Sequence, residues 1–340
     1  MAELRGQGKY DGVFGIWYGK GPGVDRSGDA FRHANHAGTS KHGGVIALMG
    51  DDHTCESSTS AHQSEFAFVD AMMPVLNPAG LQEIVDYGLY GWALSRFAGV
   101  WTGIKCVKDN IEQTASIDAA LDRVKIVIPD DFAMPEGGLN IRLGDAALAK
   151  EERLHRFKRP AMLAFARANG FDRIILEGGG APRLGIVAAG KSYLDVMEAL
   201  DMLGIAGVRA AALGVKVYKP AMVWPLEPDG ITRFASGLET VMVVEEKRSL
   251  IETQIKEQLY GRMSAPMVIG KQNEKGEPLF QAYGALEPVR IARAIAAHIL
   301  ARRDDEELRA RLERLEEISS RAAKLPGIIE RVPYFCAGCP

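Results

Sequence analysis

Short apolar, β-branched runs that alternate with helix-length amphipathic segments are the strongest constraint on how this chain folds. DGVFGIWY, GGVIALMGDD, PVLNP, VWTGIKCVK and DRVKIVIP read as strands, and GDAFRHANHAG, SEFAFVDAMM and GLQEIVDYGLYGWALSRFAG between them read as helices. VIALM is continuously apolar, as a strand covered on both faces of a parallel sheet requires. GKGPG breaks the first strand and predicts a glycine-rich loop. Strands that alternate with helices of about ten to twenty residues point to βα units around a mostly parallel sheet.

The pattern loosens after Pro129. PDDFAMPEGGLNIRLGD reads as an irregular crossover, and EERLHRFKRPAMLAFARANG as a helix. A second alternation starts at RLGIVAAG and runs through the helix KSYLDVMEALDMLG, the strand GVKVYKPAMV, a helix after Pro228, the strand ETVMVVEE and the helix KRSLIETQIKEQLYG. From Pro288 to Lys324, Leu308, Leu312, Leu315 and Ile318 recur at spacings of four and three, the mark of an amphipathic surface helix. The expected class is α/β, with two Rossmann-like three-layer domains.

Composition narrows the function classes. A net charge of -3 over 340 residues offers no electrostatic footprint for nucleic acid or an anionic membrane. Four cysteines at 55, 106, 336 and 339 do not form the framework of a secreted disulfide protein, so a reducing cytoplasm is expected. The first residues lack the apolar core of a signal peptide, and no segment holds the roughly 18 uninterrupted apolar residues of a membrane span.

Polar chemistry concentrates early. His33, His36, His42, His53 and His62 fall within thirty residues, beside Asp51, Asp52, Cys55 and Glu56. Three readings stand together: a zinc site, although the spacings match no common metal motif; capping histidines partly in water; and a ligand pocket. GKGPG and GDDH both follow expected parallel strands, which places Lys20, Arg26, Asp51, Asp52, His53 and His62 near a carboxyl-edge crevice. Neither a Walker loop nor G-x-G-x-x-G can be laid on GKGPG. In VVEEKRS, Glu245 and Glu246 are expected to cap the following helix. Near Lys191, capping by Ser192 is preferred to anion binding.

YDGVFGIWYGKGPGVDRSGDAFRHANHAGTSKHGGVIALMGDDHTCESST, PAMVWPLEPDGITRFASGLETVMVVEEKRS and the terminal FCAGCP together resemble the long, fused form of indolepyruvate ferredoxin oxidoreductase, over nearly all of residues 8–340. The resemblance implies a 2-oxo acid oxidoreductase that uses thiamine diphosphate with Mg2+ and a [4Fe-4S] cluster to produce acyl-CoA, carbon dioxide and reduced ferredoxin, with coenzyme A as co-substrate. It implies a partial pyrimidine-binding-type thiamine diphosphate domain over 1–128, a crossover over 129–179, a transketolase C-terminal-like domain over 180–275, and a helical extension over 276–340 that leads into a missing diphosphate-binding domain. Gly21, Gly23, Asp51, Asp52 and His53 are then the expected cofactor-binding residues.

Arg26 is the candidate partner of the substrate carboxylate, because a guanidinium pairs it bidentately, and His62 joins it at the substrate. Cys336 and Cys339, in the terminal C-x-x-C, are the expected cluster ligands, two of the four thiolates such a cluster takes. The chain contains no G-D-G followed by asparagine, and the glutamate that activates the aminopyrimidine is expected before Met1. The expectation is therefore an internal portion or split subunit that works with the remaining domains or subunits and with ferredoxin, in a homo-oligomer. A non-catalytic assembly module and an inactive gene fragment of the same family stay open as alternatives.

Overall fold

Ten strands carry the fold in the computed structural model, which describes residues 9–56, 58–120, 122–142, 144–180 and 182–322. In chain order they are β1 (Phe14–Lys20), β2 (Gly44–Asp51), β3 (Val75–Leu76), β4 (Thr102–Val107), β5 (Arg173–Glu177), β6 (Leu184–Ala188), β7 (Val215–Lys219), β8 (Met222–Trp224), β9 (Thr240–Val244) and β10 (Met267–Ile269). They form two five-stranded sheets, ordered β1-β2-β4-β3-β8 and β10-β9-β6-β7-β5. The chain divides into two units: described residues at 9–52, 62–172 and 220–230 make the first, and those at 53–61, 173–219 and 231–322 make the second.

In the first unit β1, β2, β4 and β3 run parallel, with Ile16 beside Ile46 and Ile46 beside Thr102. β8 closes the outer edge of β3 antiparallel, pairing Trp224 with Val75. One face packs Ile46 and Ile104 against Leu94 and Ala98 of helix Leu81–Ala98 and Met162 and Phe165 of helix Arg159–Ala168. The opposite face is aromatic. Phe31 stands edge-on to Trp17 at 4.8 Å and to Phe68 at 5.2 Å, within the 4.5–7 Å spacing such pairs prefer. Gly103 makes this approach possible, since a Cβ there would meet the Phe68 ring at 2.5 Å.

In the second unit β10, β9, β6 and β7 are parallel and β5 is antiparallel to β7. Alternate residues Leu184, Ile186 and Ala188 join Val215, Val217, Met242 and Val244 in one core, with Val196 and Leu200 of helix Gly190–Met202 and Ile291 and Ile295 of helix Pro288–Leu300. Gly185 points the other way, where Phe234 and Leu238 approach so closely that a Cβ would meet Phe234 Cζ at 2.7 Å. Helices thus cover both faces, which is why β6, β7 and β9 are buried along their whole length.

Several expected elements differ. GKGPG is not a loop: Gly19 and Lys20 finish β1, and Gly21–Arg26 is a short helix with Pro22 in its first turn, where a proline costs no hydrogen bond. DRVKIVIP forms no strand. Ile126, Val127 and Ile128 stay exposed, and the Asn169 side-chain amide pairs with both backbone groups of Val127 at 2.8 Å.

GVKVYKPAMV is two strands in different sheets, divided at Pro220, which cannot donate to a ladder. The long helix after Glu151 contains a π-helical turn at Leu154–Lys158, just ahead of Pro160, whose ring crowds the carbonyl four residues back. β5, β10 and helix Gly207–Leu213 lie in stretches given no regular structure from the sequence. The segment from Pro288 makes two helices, Pro288–Leu300 and Glu306–Ala322. The second begins where Asp305 Oδ1 accepts from the Leu308 N–H at 2.8 Å.

Candidate functional site

At the carboxyl edge of the first sheet, β2 ends on Asp51 and β4 passes through Lys105 and Cys106. The Asp51 carboxylate is buried and accepts from the Ser64 N–H at 3.0 Å and the Ser64 hydroxyl at 2.5 Å. Beside it Lys105 bonds Glu65, both buried. Burial first, and the Glu65 charge second, push the Asp51 carboxyl above its ordinary range, against the pull of Lys105 and Ser64. Burial also pushes the Cys106 thiol up to about 11, with the Asp51 charge as the second cause, so it stays a protonated core residue.

The other expected site residues of this unit gather at the end of β1. Lys20 Nζ lies 3.7 Å from Asp52 Oδ2. His62 lays its imidazole on Gly21, where any Cβ would strike the ring. Its Nε2 lies 3.8 Å from Asp25 Oδ2, while its Nδ1 is buried with no hydrogen-bond partner among the described residues. A Cβ on Gly23 would meet only Trp17, at 4.0 Å, so that face is open. Arg26 ends the short helix and is exposed.

The GDDH run divides after Asp52, and His53 belongs to the second unit. There it is buried, with Nε2 3.4 Å from Glu246 Oε2. Glu246 Oε1 lies 3.5 Å from Lys191 Nζ and accepts the Leu286 N–H at 3.0 Å, and Lys191 bonds Asp195 at 2.7 Å. This network stands at the carboxyl ends of β6 and β9. The chain leaves β6 toward β7 on one side and returns as β9 on the other, so the network marks the point where strand order reverses, the usual place for a crevice in an open α/β sheet.

Next to it Glu245 caps helix Ile251–Leu259, accepting from the N–H groups of Leu250, Ile251 and Glu252 at 2.9–3.0 Å. Burial pushes its carboxyl up while those three donors pull it down. Sequence reasoning anticipated the capping glutamate but not the Lys191–Glu246–His53 chain, whose members are 55 and 193 positions apart in sequence.

The implied coenzyme has two chemically different ends. For a flat nitrogen ring, the orphaned Nδ1 of His62 and the open face of Gly23 are a fitting pair of features on one side. For a diphosphate and its metal, no group of three or more His, Cys, Asp or Glu that could hold an ion occurs among the described residues. Cys336 and Cys339 lie outside the described residues. Cys55 is half-buried and free. No helix among the described residues is long and apolar enough to cross a membrane.

Residues 174–322 match the model of a family described as indolepyruvate oxidoreductase domain. The chain is 25% identical over 342 residues to the indolepyruvate oxidoreductase subunit IorA of Methanothermobacter marburgensis, covering 99% of this chain and 49% of that protein. It is 26% identical over 310 residues to IorA of Archaeoglobus fulgidus, covering 88% of this chain and 43% of that protein. The chain thus spans about half the length of the curated relatives it matches.

Among solved structures, the 2-oxoglutarate:ferredoxin oxidoreductase from Magnetococcus marinus, with 2-oxoglutarate, coenzyme A and succinyl-CoA bound, superposes with a TM-score of 0.53. The two are 16% identical, over 88% of this chain and 55% of that one. The expected fold class is borne out: an α/β architecture of the thiamine-diphosphate-binding type, with mostly parallel sheets.

Proposed function

We propose that this polypeptide is a portion or subunit of a thiamine-diphosphate-dependent 2-oxo acid ferredoxin oxidoreductase acting on indolepyruvate or a related arylpyruvate. The reaction is oxidative decarboxylation to acyl-CoA, carbon dioxide and reduced ferredoxin. The observation that carries it is the colinear match to an archaeal indolepyruvate oxidoreductase subunit along 99% of the chain. On this reading the pyrimidine-binding-type domain, placed at 1–128 from the sequence, lies mainly within the first unit, and the transketolase C-terminal-like domain, placed at 180–275, lies mainly within the second. Helix Arg159–Ala168 of the expected crossover at 129–179 packs on the first sheet, β8 returns to that sheet, and helix Pro288–Leu300 of the expected extension at 276–340 sits in the second core.

Gly21, Gly23, Asp52 and His62 would stand at the aminopyrimidine end. Asp51, whose oxygens already accept from Ser64, would brace that wall from behind, and His53 would order the loop it opens. When bound, the coenzyme supplies the carbon nucleophile and the electron sink. This chain's own residues orient it and exclude water. Arg26, exposed at the end of the short helix, would pair the substrate carboxylate, and the cysteines Cys336 and Cys339 would give two ligands to a cluster completed by other residues of the enzyme.

The test is reconstitution. The purified chain is combined with a polypeptide carrying a diphosphate-binding domain of the same enzyme, thiamine diphosphate, Mg2+ and coenzyme A, and viologen reduction is followed with indolepyruvate. Dye reduction that needs both polypeptides is expected. A rate that does not change when this chain is left out would overturn the proposal. Within an active complex, Arg26→Ala should raise KM for the 2-oxo acid by about tenfold or more, the scale of one lost charge-assisted pair, and an unchanged KM would remove Arg26 from the substrate.

A further inference from the structure

The amino edge of the second sheet holds a cavity remote in chemistry from the charged network at the carboxyl edge. It opens where β6 and β7 begin and where helices Gly207–Leu213 and Pro288–Leu300 end, and its volume is about 370 Å3. That is within the range of small-molecule sites. Leu184, Leu213 and Ile299 form its apolar wall, and His298, Arg302 and Arg303 its polar one.

The polar wall has a definite donor pattern. Arg302 approaches His298 Nδ1 at 3.2 Å and donates to the His298 carbonyl at 3.1 Å. A guanidinium only donates, so Nδ1 accepts and the imidazole proton sits on Nε2. Burial, with the Arg302 charge behind it, lowers the His298 pKa to about 4. The ring is therefore neutral at neutral pH, and its Nε2–H is a donor.

Charge balance selects the ligand. Arg183 faces Glu239 at 3.4 Å and Arg302 faces Glu274 at 3.6 Å, so two of the three guanidinium groups around the cavity already have carboxylate partners. Arg303 has none in direct contact among the described residues. It spends one N–H on the Ala212 carbonyl at 2.7 Å, closing the end of helix Gly207–Leu213, and a guanidinium has five. A guanidinium without a carboxylate in direct contact, its charge shared only at longer range with Asp305, over an apolar wall matches a monoanion with an apolar body better than it matches a phosphate dianion.

We propose that this cavity binds a small monocarboxylate with an apolar or aromatic body, its carboxylate on Arg303 and the Nε2–H of His298 and its body against Leu184, Leu213 and Ile299. The site is independent of the thiamine reading, and its test uses no turnover. Calorimetric titration of the purified chain with 3-phenylpropionate should give saturable one-to-one binding. Arg303→Gln should weaken it by about tenfold or more, the loss expected for a hydrogen bond to a charged group, and the neutral 3-phenylpropionamide should not bind.

Absence of saturable heat at millimolar ligand, equal affinity in the variant, equal binding of the amide, or preference for inorganic phosphate would each overturn the proposal. If the variant does not fold, the wild-type chain still decides. 3-Phenylpropionate should slow phenylglyoxal modification of Arg303, read by mass spectrometry, and an unchanged rate would overturn the site. A purely structural arginine, capping the Ala212 carbonyl, would show neither ligand effect.

Discussion

Lys158 is fully buried, and its ammonium bonds two backbone carbonyls, Asn35 at 3.0 Å and Gly99 at 2.9 Å, near the ends of helices Gly28–Ala37 and Leu81–Ala98. Burial, then the Arg153 charge, lowers its pKa from 10.5 to about 7, with Asp145 pulling the other way. Because the folded value lies below the unfolded one, the folded state prefers the neutral amine. Stability from this group is fully present above about pH 10.5, is lost as pH falls toward 7, and is constant below that.

Lys158→Met should cost about 1–3 kcal/mol for each carbonyl left buried without a donor. The difference in unfolding free energy between wild type and variant should grow with pH across that window, measured by urea unfolding. A pH-independent difference would contradict the account. Nothing in the sequence marked Lys158, because its acceptors are backbone atoms 123 and 59 positions away. Glu245 was legible, because a carboxylate just after a strand and just before a helix has one obvious use. Glu245→Ala should cost about 1–3 kcal/mol through its three orphaned N–H groups and Glu245→Gln distinctly less, since the amide keeps an acceptor. Equal losses in thermal unfolding would contradict the capping role.

At the scale of elements, the alternation of apolar runs with amphipathic segments was enough for β1, β2, β4, β6 and β9 and for the long helices. β4, β6 and β9 are buried along their whole length and leave an unbroken apolar signature, whereas β1, an edge strand, carries Phe14, Ile16 and Tyr18 on an exposed face. It failed where the pattern and the environment part company. β5 is exposed or half-buried along its length and β10 has only three residues, so their runs carry little signal. KIVIP has the composition of a strand but joins neither sheet; the backbone groups of Val127 pair with the Asn169 side-chain amide instead.

The glycines are a sharper record of packing than the apolar runs. Gly185→Ala would drive a methyl into Phe234 and Leu238 and should destabilise by about 1–3 kcal/mol, as overpacking does. Gly88, inside helix Leu81–Ala98, has nothing within 4 Å of its Cβ position. Gly88→Ala should therefore stabilise by about 0.5–1 kcal/mol. Thermal midpoints moving in the same direction for both would contradict the close packing at Gly185 or the open space at Gly88.

For the whole molecule, pattern alone reached two α/β units and a polar crevice, whereas the oxidoreductase reading came from long distinctive stretches such as GKGPGVDRSGD and VWPLEPDG. Contiguity in sequence also misled in one respect. GDDH looks like a single site motif, yet Asp51 and Asp52 close the first sheet's edge while His53 belongs to the second unit, with its Nε2 3.4 Å from Glu246 Oε2.

The central claim is that His62, Gly23 and their neighbours make one wall of a thiamine pocket whose diphosphate and metal are held by other residues of the enzyme. Calorimetry with thiamine diphosphate and Mg2+ tests it most directly. The purified chain should show no tight stoichiometric uptake, and its reconstituted complex with a diphosphate-binding polypeptide should. Tight one-to-one binding by the chain alone would contradict the claim.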